Sequence, residues 1–79
     1  MIPPLMLESL IAYRDHGRPT GGCLRCILAN DLMGAFKRAD EQTTAGMKDI
    51  VGFLYNEMPI LSHGSYDKVD EWILSKGRR

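Results

Sequence analysis

Proline and glycine cut this chain into pieces of helical length, and nothing between the cuts has the two-residue period of a strand. The cuts are Pro3-Pro4, the run Gly17-Arg18-Pro19-Thr20-Gly21-Gly22, and Pro59 followed by Gly64. Proline has no amide hydrogen and glycine admits left-handed backbone, so helices begin or stop at such places. Between them apolar residues recur every three or four positions, and β-branched alternation never extends over four residues. An all-α fold follows: a small bundle of four or five short helices around a core one pair of layers thick. At 79 residues the chain is one domain, 1–79, with 77–79 expected as a flexible tail. It lies near the size at which a core forms without help.

The first helix is expected from Pro3 or Pro4 to His16, with Gly17 as its left-handed cap and Met6, Leu7, Leu10, Ile11 and Tyr13 facing inward. Thr20 is the expected N-cap of the next helix, whose inner face reads Leu24, Ile27, Leu28, Leu32, Ala35, Phe36 and Ala39. Asn30 and Asp31 interrupt that stripe. Both favour caps over helix interiors, so the segment is either one continuous helix or two short ones broken at Asn30. Residues 39–46 read as a loop with Thr43 or Thr44 capping the following helix, which carries Met47, Ile50, Val51, Leu54 and Tyr55 as its stripe. Pro59 stops it. Ser65 then caps a last helix with Asp67 in its first turn, Val69, Trp72 and Ile73 inward, and Lys76 before Gly77.

Ten basic and ten acidic residues cancel, so the molecule as a whole has no field that gathers nucleic acid. Their distribution is uneven. Residues 40–71 hold Asp40, Glu41, Asp49, Glu57, Asp67, Asp70 and Glu71 against only Lys48 and Lys68, which gives the segment an acidic balance suited to a basic protein surface. The arginines and lysines form no row of long polar side chains of the sort a recognition helix needs, so direct nucleic-acid binding ranks second. The N-terminal apolar stretch has no basic flank and is interrupted by Glu8, Arg14 and Asp15. No membrane association is expected, and the expected location is the cytoplasm of a bacterial host.

Cys23, Cys26, His16 and His63 are the one set from which a tetrahedral zinc site could be drawn, since Cys-x-x-Cys is the usual half of one. The second half lacks a paired knuckle, and no βαβ context supports a dithiol redox centre. The weight therefore lies with Cys23 and Cys26 as small apolar residues in a helix, with no metal and no cofactor. No nucleophile, base and orienting group come together in the sequence, Gly21-Gly22 lacks the strand and lysine of a phosphate loop, and no enzyme activity is expected. Met33 falls off the main stripe beside Leu32, and Tyr55 and Tyr66 are amphipathic residues of the kind found at interface edges.

Gly17 with Gly21-Gly22, the Asn30-Asp31-Leu32 triplet, Ala39-Asp40, the Leu54-Tyr55-Asn56 run ending at Pro59, and Gly64-Ser65 ahead of Trp72 together resemble a family of small phage- and prophage-encoded proteins, over roughly residues 2–73. In that family the position of Cys23 is typically a large apolar residue and that of Cys26 a small one, which implies packing. His63 stands where tryptophan is common and Tyr66 where proline is common. The resemblance implies a non-enzymatic protein-binding inhibitor or modulator of a host or phage protein, anti-defence and anti-CRISPR action included, working by stoichiometric occlusion. The alternative is a nucleic-acid-associated accessory protein of phage replication or regulation. Residues expected to meet the partner are Asn30, Asp31, Met33, Asp40, Glu41, Tyr66, Asp67, Asp70 and Glu71, and a homodimer is also compatible with the chain.

Overall fold

A computed structural model describes residues 1–77, and these form five α-helices and one 3-10 turn: α1 (Pro4–His16), α2 (Gly22–Leu28), α3 (Leu32–Arg38), α4 (Glu41–Glu57), the turn Ile60–Ser62, and α5 (Tyr66–Gly77). The fold is a small all-α bundle. Gly77 closes α5 rather than opening a tail, while Arg78 and Arg79 lie outside the described residues.

Helix α1 has the expected limits. Pro3 and Pro4 start it, and Gly17 ends it at φ 67°, with the Gly17 amide on the Tyr13 carbonyl at 3.0 Å and the Arg18 amide on that of Ala12. Gly17 also meets the end of α5, because a Cβ there would stand 2.6 Å from the Cβ of Lys76 and 2.7 Å from the Gly77 nitrogen. Leu10 and Tyr13 are fully buried, whereas Ile11, expected inside, is 37% exposed at the edge of the stripe.

The segment after it is two helices. Gly21, not Thr20, is the N-cap of α2: the Gly21 carbonyl accepts from Arg25 N at 3.0 Å, and the Thr20 hydroxyl, one residue too early, turns to the Gly21 carbonyl instead. At the other end Asn30 adopts φ 64°, the Asn30 amide donates to Ile27 and the Asp31 amide to Cys26 at 2.8 Å. This is a Schellman ending with asparagine in the place glycine usually takes, a substitution its short polar side chain tolerates. Asp31 immediately begins α3, its carboxylate accepting from the Gly34 amide at 3.0 Å. The reversal folds α3 back on α2 and turns its face: Ala35 is buried and Ala39 half-buried, but Leu32 and Phe36, expected in the core, are each 49% exposed. Met33 is out in solvent as expected.

Helix α4 begins earlier than the sequence implies. Asp40 caps it by accepting from Thr43 N at 2.8 Å, so residues 41–46 are helical and Thr43 is a buried interior residue whose hydroxyl donates to Met6 Sδ. Asp40 takes the cap rather than a threonine: its Oδ1 accepts from the third helical amide while its own backbone stays extended, and Thr43 is drawn into the core. Met47, Ile50 and Leu54 are buried and Val51 is half-buried, while Tyr55 points outward. The helix stops ahead of Pro59, with Met58 extended. Ser65 caps α5 as expected, accepting from Lys68 N at 3.1 Å; Val69 is buried, and Trp72 and Ile73 pack against the core.

Buried side chains from every helix form one core, with Leu10, Tyr13, Leu28, Ile50 and Val69 at its centre. Tyr13 ties its edges together. Its hydroxyl donates to the Ser62 carbonyl and its own carbonyl accepts from the Trp72 indole at 2.9 Å, which joins α1 to the 3-10 turn and to α5. An unpaired buried hydroxyl would cost about 1–3 kcal/mol, and among the described residues no buried side-chain polar atom lacks a partner.

Candidate functional site

Among the described residues no three histidine, cysteine or acidic side chains gather as metal ligands. The possible zinc set is dispersed: His16 ends α1, His63 follows the 3-10 turn, and the two thiols are engaged within α2 and its neighbours. Cys23 donates to the Ala35 carbonyl at 3.5 Å, and burial together with the nearby Cys26 and Asp40 pushes its thiol above the usual range, away from reactivity. Cys26 is buried and its sulfur accepts from the Tyr66 hydroxyl at 3.5 Å and from Arg38 Nη1 at 3.8 Å. Both cysteines therefore pack.

Several residues expected to meet a partner converge at the α2–α3 elbow. The Tyr66 hydroxyl donates to Asp31 Oδ2 at 2.8 Å as well as to Cys26, which holds the phenol proton firmly in place. The Gly34 amide first, and the Tyr66 hydroxyl second, keep the Asp31 carboxyl below the usual carboxylate range. Arg25 lies over the Tyr66 ring at 5.2 Å and pairs with Asp70 at 2.8 Å. Asn30, Asp31, Tyr66 and Asp70 thus belong to one patch, with Asn30 exposed. Asp40 and Glu41 stand at the start of α4, Met33 projects from α3, and Asp67 and Glu71 line the outer side of α5. No hydrogen bond or ion pair among the described residues joins these five to the elbow. The acidic segment is not one face either, because Asp49 pairs with the chain's amino group, Asp70 with Arg25, and Asp40 serves as a cap.

On the far side of the elbow lies a feature the sequence did not announce. An open groove of about 400 Å³ runs between the elbow (Ile27, Leu28, Asn30, Leu32), α4 (Val51, Leu54, Tyr55) and the loop at His63 and Gly64. That volume lies in the range of about 300–1,000 Å³ of pockets that take ligands. Its floor is buried core, and its lips, Leu32 and Tyr55, are exposed. Gly64 fixes the loop by donating its amide to the Leu28 carbonyl at 2.7 Å.

His63 is the one ionisable histidine in this lining and is half-buried, not the solvated loop residue its surroundings in sequence imply. Burial, then the charge of Lys68, holds its pKa below the ordinary histidine value, so it is neutral at pH 7. The Ser62 hydroxyl donates to the Pro59 carbonyl at 2.6 Å, so its oxygen is left to accept from His63 Nδ1 at 3.1 Å. This places the ring proton on Nδ1. Ser62 is fully buried and already donating, which removes it as a nucleophile. The two signals that could have found the groove are Tyr55, which makes the α4 stripe wider than one core needs, and Asn30, whose left-handed backbone turns α3 away from it.

The chain matches no protein-family model, no curated protein and no solved structure. No helix among the described residues is long and apolar enough to cross a membrane.

Proposed function

We propose that this protein is a non-enzymatic binding module that acts by occupying the surface of another protein. It is an inhibitor or modulator of the kind phages and prophages encode, with host-defence complexes among its targets. The observation that carries the proposal is the surface of α3: in two turns it exposes Leu32, Met33 and Phe36, at 49%, 88% and 49%, beside an open apolar groove. Contiguous apolar patches of more than a few hundred Å² are uncommon on monomeric soluble proteins and mark surfaces that bind something. The outer side of α5 adds two carboxylates, Asp67 and Glu71, that would favour a basic stretch on the part of the partner lying over it, Asp70 being already paired with Arg25.

The test is affinity capture from host lysate, reconstitution of the captured pair from purified components, and titration of the partner's activity. A one-to-one complex whose activity is lost at equivalence is the expected result. Failure to reconstitute any stoichiometric complex overturns the proposal, as does salt-sensitive retention of DNA or RNA in its place, which would instead mark an accessory protein of phage replication or regulation.

A further inference from the structure

We propose that the groove between the α2–α3 elbow and α4 receives an amphipathic helix of the partner protein, which lays two or three large apolar side chains into it and sets an aspartate or glutamate beside Lys68. This rests on the binding-module function and names the surface and the chemistry of what it binds.

The shape argues for a helix. The floor, Ile27, Leu28 and Leu54, is continuous with the core, so it is preformed and costs little ordering on binding. The apolar surface does not stop at the groove. Leu32 and Tyr55 stand on its two lips, with Tyr55 83% exposed, a breadth a small ligand inside would leave wet and a helix lying along it would cover. Helices in such grooves anchor through residues at i, i+3 or i+4, and i+7.

The charge argues for an acidic end. No lining residue is a carboxylate. At the Gly64 end Lys68 borders the groove, its Nζ 3.5 Å from where a Cβ on Gly64 would stand, and among the described residues it makes no ion pair. The Asp31 carboxylate, near the other lip, is already engaged by the Gly34 amide and Tyr66. An anion on the partner helix therefore finds a free cation there.

A second copy of this chain fits poorly. Its richest exposed apolar helix, α3, carries Lys37 and Arg38 and would bring cations towards Lys68, while its acidic helix, α5, exposes Leu74 and Tyr66, and Tyr66 is already held by Asp31 and Arg25.

The experiment is selection from a phage-displayed library of small three-helix scaffolds with one randomised helix face, using the whole protein as bait, followed by calorimetry with the winning helix. Enriched sequences should share apolar residues at i, i+3 or i+4, and i+7, with aspartate or glutamate at one end. Lys68→Glu should weaken the winner about fivefold, and Tyr55→Ala about tenfold. Both side chains are exposed, so circular dichroism should show the fold unchanged. The absence of any enriched helix overturns the proposal, as do winners with no acidic preference or winners indifferent to both substitutions. A native partner that binds stoichiometrically yet ignores Lys68→Glu and Tyr55→Ala removes the groove and leaves the binding function standing. Helices that bind the groove while no native partner can be reconstituted remove the function and leave the groove.

Discussion

Asp31 and Asp40 begin successive helices with the same bond, a carboxylate oxygen on the amide three residues ahead, at 3.0 and 2.8 Å. What surrounds them differs. Asp40 follows an extended residue, Ala39, and its carboxylate is engaged only by its own helix. Asp31 follows Asn30 in the left-handed region, and its second oxygen holds the Tyr66 hydroxyl of α5, which also reaches Cys26 of α2. It packs so closely on Gly34 that a Cβ there would lie 2.5 Å from Oδ2, whereas the matching position after Asp40 is a threonine. One cap is local and the other binds three helices together. The difference teaches that the same cap chemistry can end as a simple joint or as a fixed elbow, and only tertiary partners decide which.

The sharpest break in that comparison is at the backbone. Asn30→Val should cost about 1–2 kcal/mol, since a β-branched side chain resists φ 64°, and chemical denaturation would read it as a lower midpoint with an unchanged slope. Asn30→Gly should be nearly neutral by the same measurement. Next in size, Asp31→Ala should lower Tm by more than Asp40→Ala does, with roughly 4–8 °C expected for the former; equal losses would make the two joints alike. Tyr66→Phe should then bring the cost of Asp31→Ala down to that of Asp40→Ala, a coupling that a double-mutant cycle measures directly.

Acid should have the smallest effect. Both carboxyls are held below the usual range, Asp31 chiefly by the Gly34 amide and Asp40 chiefly by the Thr43 amide. The unfolded chain therefore takes up these protons first, so their contribution is complete above the ordinary carboxylate pKa of about 3.9 and fades as pH falls through the lowered values. A Tm profile from pH 5 to pH 2 should be flatter for Asp31→Asn than for the unaltered protein. Alkali provides a check on a different edge of the core. Burial pushes the Tyr13 phenol up to about 12, so the folded state keeps a proton that the unfolded chain loses from about pH 10. Stability should fall from pH 10 towards 12, and Tyr13→Phe should lessen that fall, leaving the part due to Tyr66, while lowering stability at pH 7.

Much of this fold could be read from the residues. Pro3-Pro4 and Gly17 bounded α1, Pro59 stopped α4, and Ser65 began α5, because each of these signals acts within one turn of backbone. The break at Asn30 was visible as an alternative, since asparagine and aspartate serve both a helix interior poorly and a cap well. What could not be read was its consequence. Once α3 turns back, a stripe counted at helical spacing from Leu24 no longer points one way, so Leu32 and Phe36 leave the core and a groove opens where a continuous helix would have none. The start of α4 was lost for a related reason: Asp40, Thr43 and Thr44 are all good caps, and the burial of Thr43 against Met6, a contact across 37 positions, decides among them. His63 and Lys68 entered the site through the same long-range route.

The hydrogen bond from Trp72 to the Tyr13 carbonyl makes the chain's single tryptophan a built-in optical probe. Its indole bridges the first and last helices and carries the Lys76 ammonium over its ring at 5.0 Å. Separation of those helices would break the bond to the Tyr13 carbonyl and give the indole over to water, while Lys76, on the same helix, would stay beside it, so emission colour reports their docking with no label attached.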